Sequence, residues 1–308
     1  MTNCDYFNYF CKNVCFMSNI HLINFDTTDR NKWLSSIAEA SEAHRDCTSN
    51  DHIILGFNGI NGTEKITPIH IVSLACLIES LARKHVIVHI QNRETNAVSN
   101  FLWENLRFRE YWAGGQNFVP AQDTNVFNLW RIIDNEKEIH SRRIHDYLKQ
   151  TFFQHKDLSA VQNSLDEVYY NIFDHANADG NAFSFIFYDK KNEKLHVAVC
   201  DFGIGIAKSV RNALPEIPDD MAALLKAMEY KFTTGSQTHN MGMGLGNIKD
   251  TCTEDDILGI ISNKGCLFAK RENMRAYENT FYFPGTLIYY ELSLSHFEEE
   301  EIIDNFAL

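Results

Sequence analysis

Between residues 164 and 296 four short motifs follow one another in a fixed order, each at a junction of a helix pattern and a strand pattern. The first, "SLDEVYYNIFDHANADG" (164–180), carries Glu167, Asn171 and His175 at successive four-residue steps. Residues so spaced share one helix face, so the three can act on one object. The second, "KLHVAVCDFGIGI" (194–206), is a strand that ends at Asp201 and turns on Gly203 and Gly205. The third, "TTGSQTHNMGMGLGNIKD" (233–250), places Gly242, Gly244 and Gly246 ahead of an amphipathic segment, and the fourth is Gly285–Thr286 before the strand "GTLIYYELSL" (285–294).

Each motif alone is ordinary: a polar helix edge is usually solvated, and glycine pairs usually mark turns. Together they describe a site. Ser159 and Gln162 form an S-x-x-Q capping box that predicts the helix start, with Val161, Leu165, Val168 and Ile172 as its buried stripe and Gly180 as its end. The Glu167–Asn171–His175 line borders that stripe, where polar groups are half-buried. Asp201, at a strand end, can accept a hydrogen bond from an exocyclic amine, and glycine turns that feed a helix N-terminus present N–H groups suited to phosphate. His175 is expected to be a structural histidine at the helix end.

The succession E-x-x-x-N-x-x-D-H-A, then D-x-G-x-G-I, then a loop ending in G-x-G-L-G, then G-T before a last strand, resembles the GHKL ATP-binding superfamily, which includes gyrase, heat-shock chaperone ATPases, histidine kinases and mismatch-repair ATPases. The resemblance covers about residues 130–296 and implies an α/β sandwich that binds ATP and Mg²⁺. It implies further that Asn171 holds the metal, that Glu167 is the general base, that Asp201 reads adenine with support from Thr286, and that Gly203, Gly205, Gly242, Gly244 and Gly246 shape the nucleotide loops. The segment from Ala207 to Asn240 would be the lid. His140 and His145 lie too close before Asn171 to belong to a histidine-kinase hairpin, which favours an anti-sigma-factor type of kinase or an ATPase switch.

Upstream, the chain alternates strand and helix patterns: "HLINF" (21–25), a helix over Thr27–His44, "HIILGF" (52–57), a helix opened by Thr67 and Pro68 and running to Arg83, "HVIVHI" (85–90), and a helix over 94–106. Such alternation implies a helix-covered sheet. "ITPIHIVSLACLIESLARKHVIVHIQN" resembles the STAS-like domains of bacterial partner-switching regulators, although "KITPIH" stands where those domains carry a phosphorylatable serine, and Thr67 is read as a helix cap. The expected organisation is α/β throughout: a STAS-like unit over 1–117, a linker over 118–134, a GHKL-type domain over 135–296 and an acidic tail over 297–308.

The formal charge of −13, from 41 acidic and 28 basic residues, argues against nucleic-acid or anionic-membrane partners. The basic stretch "HSRRIHDYLK" (140–149) reads as a solvated helix face. Eight cysteines without a C-x-x-C pair make zinc unlikely and suggest a reduced, cytoplasmic setting. The first residues lack the pattern of a secretory signal, and "IHIVSLACLIESLA", broken by His70 and Glu79, reads as a buried helix and not a membrane span. The spacing of "HRDCTSN" (44–50) and the D-F-G at 201–203 does not fit a protein kinase, and neither glycine cluster has Rossmann spacing. The expectation is an Mg-ATP-dependent regulator that hydrolyses ATP or phosphorylates a protein serine or threonine, with a protein partner or self-association. The alternative is a non-catalytic ATP-gated binding or dimerisation module.

Overall fold

Apolar residues surround the helix of residues 68–82 on every side, and such a helix is stable only when both of its faces are covered. In the computed structural model, which describes residues 19–299 apart from 50, 92–93, 109–124, 177, 179, 230–244 and 272, it lies between two sheets. The first is parallel, in the order β1 (Ile20–Asn24), β2 (His52–Gly56), β3 (Ile87–Ile90). Its crossovers are α1 (Arg30–Ala43) and the buried helix, α2 (Pro68–Ala82). Asp29 caps α1 by accepting the Lys32 N–H at 3.0 Å, so the helix starts three residues later than expected from Thr27. At the start of α2 the Thr67 N–H donates to His70 Nδ1 at 3.0 Å, while His70 Nε2 lies 3.1 Å from the Thr28 carbonyl. Burial pushes His70 down to about 4, so it works as a neutral ring with Nε2 donating. The helix expected over 94–106 is α3 (Ala97–Asn100), which widens into a π-helical turn at Phe101–Asn105.

The second sheet is antiparallel, in the order β4 (Val126–Arg131), β5 (Ala182–Asp189), β6 (Lys194–Asp201), β8 (Asn273–Ser293), β7 (Ile257–Lys270). The stretch read as a linker thus supplies an edge strand, β4. One face of this sheet packs on α2: Phe183, Phe185, Ala198 and Cys200 share a core with Val72, Ala75, Cys76 and the residues of β2. Asn181 Nδ2 donates to the Cys76 carbonyl at 3.1 Å, and Cys76 Sγ to the Cys200 carbonyl at 3.3 Å, so α2 is tied to the strand that ends at Asp201.

The other face carries α4 (Lys137–Thr151), α5 (Ser159–Asn171, continued by a π-helical turn Ile172–Ala176), α6 (Ile206–Ala213), α7 (Asp220–Ala227) and α8 (Gly246–Thr251). The expected stripe of α5 is buried, with Val161, Leu165 and Val168 at 0% exposure. Each such side chain contributes about 1.5–3 kcal/mol of burial. The capping box is corrected: Leu158, fully buried, takes the cap position, Ser159 is the first helical residue, and Asp157 Oδ1 accepts the Ser159 N–H at 2.9 Å. The basic stretch of α4 has a buried face, where His140 stacks on Trp130 at 3.8 Å, while Arg142 and Arg143 are exposed.

β7 and β8 form a hairpin that the sequence reading did not anticipate beyond residues 285–294. Residues 257–262 pair with 286–291 within the sheet. A bulge at Ser262–Gly265, with Asn263 at φ 54°, then turns the chain, and residues 265–270 pair with 273–278 as a two-stranded ribbon. The acidic tail begins pinned: the Asp157 N–H donates to the Glu298 carbonyl at 3.0 Å and Lys156 Nζ to that of Phe297 at 2.7 Å, whereas residues 300–308 lie outside the described residues. Among the described residues no helix is long and apolar enough to cross a membrane.

Candidate functional site

Four segments meet at the end of β6 on the helix-covered face: the last turn of α5, the turn after Asp201, the first turn of α6, and Thr286 on β8. Asn171, Asp201 and Thr286 line one cleft, walled by Val168, Ile172, Val199, Ile206 and Ile288. Glu167 lies one helical turn before Asn171.

The turn is held by close backbone contacts. The Ile204 N–H donates to the Ala176 carbonyl at 2.7 Å, which joins it to the end of the π-helical turn of α5. At Gly203 a Cβ would fall 2.1 Å from that same carbonyl oxygen, so only glycine lets the two segments approach. Gly205 has φ +85°, and a Cβ there would lie 2.6 Å from the side chains of Ser262 and Asn263.

Asp201 is 3% exposed, and its Oδ1 accepts the Gly203 N–H at 2.9 Å. Burial pushes its carboxyl up to about 7, against the opposing pull of the Gly203 and Thr286 backbone N–H groups. The consequence for stability has a definite sign. An unfolded aspartate releases its proton near 3.8 and the folded one near 7, so the folded state binds more protons between those values. Stability from this residue is therefore full below pH 3.8 and is lost as pH rises through 7. Asp201→Asn is expected to remove that slope, on the order of a few kcal/mol across the window. The measurement is the difference in urea midpoint between parent and variant at pH 4.5 and 7.5. An equal difference at both pH values would contradict a buried, titrating Asp201.

Asn171 Nδ2 donates to the Glu167 carbonyl at 2.9 Å and to Glu167 Oε1 at 3.2 Å. The amide oxygen, Oδ1, has no protein donor among the described residues, and a neutral oxygen so presented suits a hard cation that keeps its remaining ligands from water or phosphate. Among the described residues no group of three His, Cys, Asp or Glu could hold a metal alone.

The first three N–H groups of α6 are already used: Ile206 donates to Thr286 Oγ1 at 2.9 Å, Ala207 to Ser262 Oγ at 3.3 Å and Lys208 to Asn263 Oδ1 at 3.0 Å. This helix start is capped by side chains and is no anion site. Ser262 and Asn263 are the site residues that sequence reasoning missed; the positive φ and close contacts of Gly205 follow from them. Gly246 opens α8 beside the Met228 carbonyl, where a Cβ would lie at 3.0 Å. Gly242 and Gly244 lie outside the described residues, as does the His175 side chain. Of the expected lid, residues 207–213 and 220–227 are helical, joined by an Arg211–Asp220 ion pair at 3.0 Å, and "FTTGSQTHN" (232–240) lies outside the described residues.

The cleft is tight. Its free volume of about 10 Å³ has room for a single water, so a larger ligand enters only if the walls separate. No family model matches this chain, and no curated protein matches it in sequence.

Proposed function

We propose that residues 135–296 are an ATP-binding domain of the GHKL type, preceded by a STAS-like regulatory unit, and that the protein is an Mg-ATP-dependent regulator that hydrolyses ATP or phosphorylates a protein serine or threonine. The observation that carries this reading is the convergence of Asn171, Asp201 and Thr286, from three distant parts of the sequence, on one apolar cleft. In this reading Asp201 accepts the adenine amine at the cleft floor, Thr286 fixes the turn beside it, Asn171 Oδ1 faces Mg²⁺, and Glu167 orients the attacking oxygen. Bound Mg²⁺ would supply charge neutralisation for the phosphates. Entry of an adenine ring requires the cleft to widen, which makes binding a conformational step.

The test uses the full chain. Saturating Mg-ATP, at about 100 times its dissociation constant, is expected to stabilise the protein by about 2.7 kcal/mol and to raise the melting temperature by several degrees. Asp201→Asn is expected to weaken ATP binding about ten- to a hundredfold, since an amide can present a donor where an acceptor is needed. An unmoved melting curve together with a calorimetric titration that shows no heat would end the nucleotide reading. Binding without turnover, with candidate protein substrates present, would instead favour the ATP-gated module.

A further inference from the structure

A much larger cavity, about 840 Å³, lies on the opposite face of the five-stranded sheet, in the size range of ligand sites. Its floor is aliphatic, from Ile257 and Ile261 of β7 and Leu287 of β8; one wall is the start of α1 and the other is the β7–β8 ribbon. The ribbon folds back so far that the Phe268 ring comes to 3.3 Å from the place a Cβ would take on Gly259. Phe268 and Tyr277 stand on this wall with ring centroids 6.5 Å apart, 46% and 47% exposed.

The charges around the cavity oppose those of the whole chain. Arg30, Lys270 and Arg275 line it, with Asp29 as the sole lining carboxylate, and Asp29 is engaged as the cap of α1. Arg30 lies 4.8 Å over the Tyr289 ring, with Glu291 at 3.9 Å from its guanidinium. Lys270 and Arg275 are exposed and form no ion pair among the described residues; Glu254, which shares an adjoining hollow with Lys270, is paired with Arg271 at 3.6 Å. In a protein of formal charge −13, this is a local cationic rim around an apolar floor.

We propose that this cavity is a docking site for an acidic peptide segment of a protein partner, one that carries aliphatic or aromatic side chains between its carboxylates. The apolar side chains reach the floor alongside Phe268 and Tyr277, and the carboxylates meet Lys270, Arg275 and Arg30. Exposed aromatic and arginine side chains around a concave apolar floor are the composition of binding hot spots. Charge complementarity favours an anion, and the aliphatic floor favours a peptide over a free phosphate. The site is separate from the nucleotide cleft and does not rest on the ATP reading.

The experiment is fluorescence anisotropy of the full chain with a labelled synthetic peptide in which glutamates are interleaved with leucine and phenylalanine. Binding is expected, weakened by salt, abolished when lysines replace the peptide's glutamates, and reduced at least tenfold by the double variant Lys270→Glu, Arg275→Glu. Both residues are exposed, so the double variant is expected to melt with the parent. Phe268→Ala is expected to cost about tenfold independently. The proposal is overturned if the peptide does not bind, if the double variant binds it as tightly as the parent, or if inorganic phosphate or a single-stranded oligonucleotide binds at these residues in its place.

Discussion

Glu79→Ala is expected to destabilise the folded chain by about 3–5 kcal/mol, the usual result of removing one partner from a buried ion pair. Glu79 is 1% exposed on α2, and its Oε1 accepts hydrogen bonds from Arg83 Nε at 2.7 Å and from an Arg131 guanidinium nitrogen at 2.5 Å. Arg131 carries most of the effect. Its side chain is 14% exposed, against 35% for Arg83, so its charge is the one left with less solvent and no carboxylate partner. Arg131 Nε also donates to the Gly180 carbonyl at 3.2 Å, so the ion pair joins α2, β4 and the segment leading into β5. In a protein of this size such a loss lowers the melting temperature by roughly 5–8 °C. Glu79→Gln keeps the shape and part of the hydrogen bonding and is expected to lose less. Urea denaturation of parent and both variants at pH 7 measures it, and a loss below about 1 kcal/mol for Glu79→Ala would show that solvent replaces the carboxylate readily.

If the protein consumes ATP, Glu167→Ala is expected to lower turnover by about 10²–10⁴-fold while ATP affinity stays within about threefold of the parent. A general base touches the attacking oxygen and not the nucleotide, so its loss separates rate from binding. Asn171→Ala is expected to behave differently and to lower Mg-ATP affinity and turnover together, because in the proposed reading it removes the oxygen that would face the metal. The hydrogen bond from Asn171 Nδ2 to Glu167 Oε1, at 3.2 Å, complicates the pair: Glu167→Ala removes one of the two acceptors of that amide and leaves only the Glu167 carbonyl at 2.9 Å. Glu167→Gln retains an acceptor for that bond and serves as the second variant. Turnover by folded Glu167→Ala and Glu167→Gln at the parent rate, under saturating Mg-ATP, would remove Glu167 from the chemistry.

What could be read from the sequence follows from how each element is covered. The period of α5 was visible because only one of its sides is buried, and the all-round apolar character of α2 marked it as interior. The Asp201 turn was legible because Asp and Gly are scarce in strands, whereas Thr286, an ordinary strand residue, was reached only through the resemblance. β7 was not. Its residues 258–263 are buried on both faces, which erases alternation, and Gly259 and Gly265 look like breaks. In the fold those glycines leave room for Phe268 and for the Asp220 backbone, so the apparent breaks are packing contacts. Ser262 and Asn263 were lost with the strand that carries them. β4 was hidden for another reason: a register shift between Phe127 and Trp130 disrupts the period of two, and the strand is short. The start of α5 was misplaced because Asp157 and Ser159 are both good acceptors, and the burial of Leu158 decides between them.

The position of α2 between two sheets bears on the order in which the chain is made. Its first covering, from β2 and Phe57, is synthesised close to it in time, but its second comes from residues 183–289. During synthesis the helix therefore emerges with one apolar side complete and the other waiting for strands that do not yet exist. Contacts of such long sequence separation are slow to form, and an exposed apolar surface is where nascent chains associate wrongly. A ribosome-bound chain stalled soon after Arg83 would present that surface to chaperones, and it would stop doing so only once β8 has been released.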